Sequence, residues 1–206
     1  MSGANEWEAK WASKDFRPRW GDRGVAPEVE QAVADGWLPS SGHVLDIGCG
    51  LGEIAAWFAR RGYPTLGFDI SESAVQRARE AQAPLPPQLE FMALDACRGP
   101  IPDRQYRILI DRGCLHTIPP HLVHDYVRTI RSVSAPDARM LLFMRAFRGG
   151  RPYANSAETR MAARQIAAAF MRSFALVRYA PTYMDRHAGG QSQDALPGLV
   201  FWLAAV

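Results

Sequence analysis

Lysine is nearly absent: Lys10 and Lys14 are the only two, and the other 22 of the 24 basic residues are arginines scattered along the 206-residue chain. With a formal net charge of +3 and no basic block, the chain lacks the clustered cations that grip nucleic-acid phosphates, and no nucleic-acid partner is expected. Cysteine is scarce too. Cys49, Cys97 and Cys114 are odd in number and lack Cys-x-x-Cys spacing, which argues against a disulfide framework or a zinc site and for free thiols in a reducing compartment. His116, His121 and His124 lie close in sequence, but no carboxylate or cysteine completes a ligand set, so no metal is expected. No apolar run reaches membrane length and the polar start carries no signal peptide; the expected setting is the cytoplasm, away from membranes. The remainder is ordinary globular composition, 48% hydrophobic and 22% charged, over a length that suits one domain across residues 1–206.

Glycine is concentrated where it is informative. The stretch Val44-Leu45-Asp46-Ile47-Gly48-Cys49-Gly50-Leu51-Gly52-Glu53 reads as a buried strand that stops in alternating glycines and restarts as a helix. Without a Cβ the backbone can turn sharply and a ligand can lie against it. The helix predicted over 53–61 places Ile54, Trp57 and Phe58 on one face, with Gly62 as its stop. A dinucleotide fingerprint needs a third glycine where Glu53 stands, and a phosphate-cradling loop needs a Gly-Lys-Ser/Thr ending that is missing. Asp46, ahead of the glycines, would repel phosphate and attract an ammonium group. Three more strand-like runs close in an acid, at Asp69, Asp95 and Asp111. In an open α/β sheet an acid at the carboxyl end of the second strand is placed to accept hydrogen bonds from ribose hydroxyls, which makes Asp69 the predicted ribose ligand.

Strand and helix alternate along the rest of the chain. Ser71 or Ser73 caps a helix to about residue 82, which Pro84, Pro86 and Pro87 end. Pro119-Pro120 open a helix whose buried stripe is Val123, Tyr126, Val127 and Ile130. A strongly apolar fifth strand over 139–143 is placed centrally. Asn155 with Glu158 has the form of a capping box for a helix to about 172, and strands over 174–179 and 199–206 follow. Five alternations that finish on two strands predict a mostly parallel, seven-stranded sheet with helices on both faces. Residues 1–38 carry Trp7, Trp11, Trp20 and Trp37, with Trp7 and Trp11 on one helical face and a second helix opening at Pro27. These rings cover the sheet edge as core or close over a ligand, and an apolar flap can do both.

The glycine turn and the four acids resemble the cofactor motifs of the class I S-adenosylmethionine (SAM) methyltransferases, over roughly residues 44–120. The resemblance implies an α/β, Rossmann-like doubly wound sheet whose last strand is antiparallel, and SAM as cofactor. It implies a cofactor site made by Trp11, Trp20, Asp46, Gly48, Cys49, Gly50, Asp69, Ile70, Asp95, Ala96 and Asp111, with residues 1–38 as a flap. Two stretches are similar to the thiopurine S-methyltransferase group. Glu6-Trp7-Glu8-Ala9-Lys10-Trp11 is similar to its Trp-x-x-x-Trp segment, which folds over SAM, and Asp111-Arg112-Gly113-Cys114-Leu115 to its Asp-Arg-Gly-x-Leu motif. The glycine motif departs from the divergent form of the thiopurine enzymes, which points to a relative acting on small molecules rather than a thiopurine enzyme as such. The expected activity is therefore methyl transfer by a monomer to a small-molecule thiol. O- or N-methylation of a small aromatic metabolite and a non-catalytic SAM-binding protein are the alternatives.

Displacement at a sulfonium releases a neutral leaving group, so alignment and exclusion of water supply most of the rate. A thiolate needs no base; for an oxygen or protonated nitrogen acceptor the available bases are Asp111, His116, Asp185 and His187, of which Asp111 and His116 are the catalytic candidates nearest the motif. The resemblance sets Arg112 beside the acceptor, where its guanidinium would pair with an anionic or planar substrate; a surface ion pair is the other reading. Further substrate residues fall to the loop 146–156, with Arg148, Arg151 and Tyr153, and to the connection 182–197, with Tyr183, Met184, Arg186 and His187.

Overall fold

The computed structural model describes residues 3–18, 24–145, 147–148, 151–152, 156–184 and 196–206. The apolar runs become strands β1 (Val44–Ile47), β2 (Thr65–Asp69), β3 (Leu89–Ala93), β4 (Tyr106–Arg112), β5 (Ser134–Arg145), β8 (Phe174–Tyr183) and β9 (Pro197–Ala205); a two-residue ladder, β6 (Phe147–Arg148) with β7 (Arg151–Pro152), stands apart. The seven form one sheet in the order β3-β2-β1-β4-β5-β9-β8. The first five are parallel, and β9 is antiparallel to both β5 and β8, between which it lies. The sheet is thus the Rossmann-like, mostly parallel one expected. After β1 the chain steps outward to β2 and β3, then returns to β4 on the other side, so the strand order reverses at β1. That switch point is where open α/β sheets leave a crevice beyond their carboxyl ends.

Helices α1 (Gly3–Ala12), α2 (Pro27–Ala34), α3 (Glu53–Ala59), α4 (Glu72–Ala81), α5 (Val123–Ser132) and α6 (Ser156–Phe170) complete the layers. Side chains alternate across each strand. Val44, Ile108 and Ile110 pack with Val29, Ala32, Ile54 and Phe58 on one face; Leu45, Ile47 and Leu109 pack with Tyr126, Ile130 and Phe170 on the other. Every residue of β1 and β2 is buried, which is why these strands read as near-continuous apolar runs.

Three boundaries differ from the sequence pattern. β5 runs from Ser134 to Arg145 because β4 pairs with its start and β9 with its end, Arg145↔Gly198. β8 reaches Tyr183, since its ladder with β9 continues through Thr182↔Gly198 and Tyr183↔Pro197, so Thr182 and Tyr183 are strand residues rather than loop. A 3-10 turn, Pro120–Leu122, precedes α5, which starts at Val123. The Asn155 cap lies outside the described residues. Among the described residues no helix is long and apolar enough to cross a membrane.

Candidate active site

The turn between β1 and α3 is held from three sides. Gly52, the N-cap of α3, is left-handed at φ 73°, and a Cβ there would lie 2.4 Å from the Phe91 ring, so the turn rests directly on that ring. The Cys49 N–H donates to the Phe68 carbonyl at 2.8 Å. The Gly50 N–H donates to Asp69 Oδ2 at 3.1 Å, while Asp69 Oδ1 accepts from the Ser71 N–H at 3.1 Å. Asp69 therefore ties the end of β2 to the turn, and a carboxylate with about four acceptor positions keeps some for a ligand.

Helix α1 forms the roof. The Glu8 carboxylate accepts from Ser71 Oγ at 2.6 Å, Ser73 N at 3.2 Å and Ser73 Oγ at 2.5 Å, at the start of α4. Arg77, on α4, donates to the carbonyls of Trp11 and Phe16 and lies 5.0 Å from the centre of the Trp11 ring. Trp11, only 4% exposed, sits over Gly50, where a Cβ would be 3.5 Å from its ring. Trp11 is thus both buried and part of a cavity wall. Trp20 lies outside the described residues.

Beneath this roof is a cavity of about 540 Å³, within the range of small-molecule sites. Its wall takes Asp69, Ile70, Asp95 and Ala96 from the β2 and β3 ends, Gly48 and Gly50 from the turn, Arg112 and His116 from the β4 end, and Arg145 from the β5 end. Asp46, Cys49, Asp111 and Tyr183 are not in that wall. For two of them the period of the strand is the reason. Asp46 shares a face with Val44 and is turned under α3, where it accepts the Ala55 N–H at 3.0 Å. Asp111 shares a face with Leu109 and is turned under α5, 0% exposed, accepting from Gly113 N, Cys114 N, Leu115 N and Tyr126 Oη at 2.7–3.0 Å. A carboxylate with four donors around it shapes the loop that carries Arg112 and His116; it does not reach into the cavity. Tyr183 ends β8 and is 38% exposed, while its neighbour Met184 lines the cavity. Tyr153, Asp185 and His187 lie outside the described residues. The site also contains residues with no role in the sequence pattern, among them Glu8, which has no local signal because its partners are more than 60 positions away, and Arg98 and Arg145, basic residues near strand ends where the pattern of acids gives no hint of them.

The buried groups set the electrostatics. Burial pushes Asp46 up to about 7 and Asp111 up to about 6, the latter against the pull of its donors, and raises Asp69 as well. Because these values lie above the ordinary 3.8, the native state holds protons that the unfolded chain has released between about pH 4 and pH 7. The ligand-free protein should lose stability as pH rises through that window, by an amount on the order of 5 kcal/mol at about 1.4 kcal/mol per pH unit for each group. Urea unfolding at pH 5 and pH 7.5 checks this, and Asp46→Asn should flatten the decline. Glu8, lowered by its serine hydrogen bonds, acts below its ordinary 4.5 and so outside the window. His116 goes the other way: burial, with a smaller contribution from Arg145, pushes it down to about 4, so its imidazole is neutral, and its buried Nδ1 has no hydrogen-bond partner among the described residues. Burial raises the Cys114 thiol, which lines the cavity protonated. Arg112 donates to the Gly24 carbonyl at 3.3 Å and the Met184 carbonyl at 2.9 Å, pinning the chain on both sides of the cavity mouth. Among the described residues no group of three His, Cys, Asp or Glu converges as a metal site would require.

Residues 44–137, the span from β1 to the start of β5, match the family described as "Methyltransferase domain". A 2-heptyl-1-hydroxyquinolin-4(1H)-one methyltransferase of Mycobacteroides abscessus is 28% identical over 130 residues, 62% of this chain and 56% of its own length. An uncharacterized methyltransferase of Schizosaccharomyces pombe is 30% identical over 105 residues, 51% of this chain and 71% of that protein. Among solved structures, the 1,6-didemethyltoxoflavin-N1-methyltransferase of Burkholderia thailandensis, with 1,6-didemethyltoxoflavin and S-adenosylhomocysteine bound, has a TM-score of 0.72 at 22% identity, covering 98% of this chain and 87% of that one. Sheet order, glycine turn and these relatives agree: the chain belongs to the class I SAM-dependent methyltransferase family.

Proposed function

We propose that this protein transfers a methyl group from SAM to a small planar acceptor that brings its own ionised nucleophile, an aromatic thiol first among them. The observation that carries this reading is the lack of a strong base in the described cavity wall: Asp111 is enclosed by four donors, and His116 is held near 4. The residues present suit the cofactor. Gly50 offers bare backbone to the cavity beside the Trp11 ring, Asp69 has acceptor positions left for ribose hydroxyls, and Ile70, Asp95 and Ala96 extend the wall on that side. When bound, SAM supplies an electrophilic sulfonium methyl and departs as a neutral thioether. Trp11 and α1 keep water out, Asp69 supplies negative potential beside the turn, Asp46 ties β1 to α3 beneath it, and Asp111 positions the loop that presents Arg112 and His116 to the acceptor. Residues 1–206 act here as one domain with 1–38 as its flap, in a cytoplasmic monomer without a nucleic-acid or membrane partner. The quinolinone and didemethyltoxoflavin named for two of the similar proteins support a small-molecule acceptor.

A second reading, O- or N-methylation with His116 as base, is favoured by the partnerless Nδ1 of that residue. The pH dependence of rate separates the two. With a series of aryl thiols the rate should rise with pH until each thiol is ionised, so the limb follows the substrate. A limb that keeps its position across the series and vanishes in His116→Ala would overturn the thiol reading in favour of an enzyme base.

A further inference from the structure

Along the carboxyl edge of the sheet the acids of the cavity wall, among the described residues, sit at one end only. Asp95 follows β3, with Arg98 3.8 Å away, and Asp69 ends β2, while Lys10 of α1 also lines this wall; Arg112 ends β4 and Arg145 ends β5. Neighbouring strands stand about 4.8 Å apart, so the order β3-β2-β1-β4-β5 separates a mixed end from a wholly basic one, with the glycine turn of β1 between them. Among the described residues no Asp or Glu lines the β4–β5 end. Arg112 donates to backbone carbonyls of the two segments it pins, and Arg145 lines the same end of the cavity from the last residue of β5, where the ladder with β9 holds its backbone opposite Gly198. The charge of Arg145 is felt inside the cavity, since it contributes to keeping His116 neutral. Ile118, Leu122, Met184 and Leu196 add apolar surface, enough to hold a ring.

We infer that Arg145 reads a negative charge on the acceptor, so that the substrate is a small aromatic molecule with an anionic group, such as a carboxylate, on the side away from the nucleophile. This rests on the proposed methyl transfer: SAM held by the β2 and β3 ends and the β1 turn would leave the β4–β5 end of the cavity to the acceptor, whose anionic group would then fall toward Arg145. A guanidinium is suited to the task because its planar fork meets a carboxylate with two parallel hydrogen bonds.

The test uses 4-mercaptobenzoate and 4-mercaptobenzamide, which share ring and thiol and differ in charge. Wild-type kcat/KM should favour the benzoate by about tenfold, the value of one charge-assisted contact. In Arg145→Gln that ratio should fall to about one, and Arg145→Lys should keep part of it. A wild-type ratio near one, or a preference unchanged in Arg145→Gln, overturns the inference. The same two compounds are titrated calorimetrically against the protein loaded with S-adenosylhomocysteine, with circular dichroism to confirm the fold of each variant. If neither thiol is methylated, the transfer to thiols fails, yet tighter benzoate binding that Arg145→Gln removes still supports the anion site, and equal affinities still overturn it.

Discussion

Gly50→Val is expected to weaken SAM binding by roughly a hundredfold or more, about 2.8 kcal/mol, while the protein still folds. The position sits at φ 54° in the left-handed region, where a non-glycine residue costs about 1–2 kcal/mol, a loss that a few degrees of melting temperature would show. The new Cβ would meet the Trp11 ring at 3.5 Å, an ordinary contact. The two γ-methyls are the problem. With the Cβ already in contact with the ring, they crowd the cavity wall that Gly50 and Trp11 share, or they push α1 off the turn and open the roof. Gly52→Val is the control that fails differently: its Cβ would lie 2.4 Å from the Phe91 ring, so that variant should lose the fold itself. Calorimetry with SAM, alongside thermal melts, separates the two outcomes, and Gly50→Val binding SAM normally would remove the turn from the site.

The second large effect is expected at Asp69. Asp69→Ala removes the group proposed to hold the ribose, which costs roughly 1.5–3 kcal/mol of SAM affinity, the range for hydrogen bonds to a charged partner. It also strips the acceptor from two N–H groups, those of Gly50 and Ser71, so a stability loss of similar order accompanies it. Asp69→Asn separates these contributions. Its remaining oxygen can serve one N–H, so it should recover part of the stability, but without the charge it should recover little of the affinity. SAM titrations and unfolding curves on both variants check this; equal recovery of the two quantities would make Asp69 a structural residue only.

Much of this was readable in the sequence because the informative features are local. β1 and β2 are buried on both faces and so appear as unbroken apolar runs, and the glycine turn and Asp69 lie within 22 residues of each other. The four acids looked equivalent from their positions near strand ends. They are not, because Asp46 and Asp111 lie inside their strands and on opposite faces, each turned under a helix, while Asp69 and Asp95 stand at the edge that borders the cavity. Long-range pairing hid the rest. The Glu8 contacts with Ser71 and Ser73 join residues 63 and 65 positions apart, and Arg145 enters β5 only because β9, near the end of the chain, pairs with it.

The most direct measurement is incubation with methyl-labelled SAM and a panel of small aryl thiols, hydroxylated heteroaromatics and ring nitrogens, followed by separation of small molecules from protein and RNA. Label in a small-molecule product, strongest with an ionisable thiol and lost in Gly50→Val, is the expected result. Label recovered only in protein or RNA, or none at all from a protein that binds SAM, would contradict small-molecule methyl transfer at this cavity.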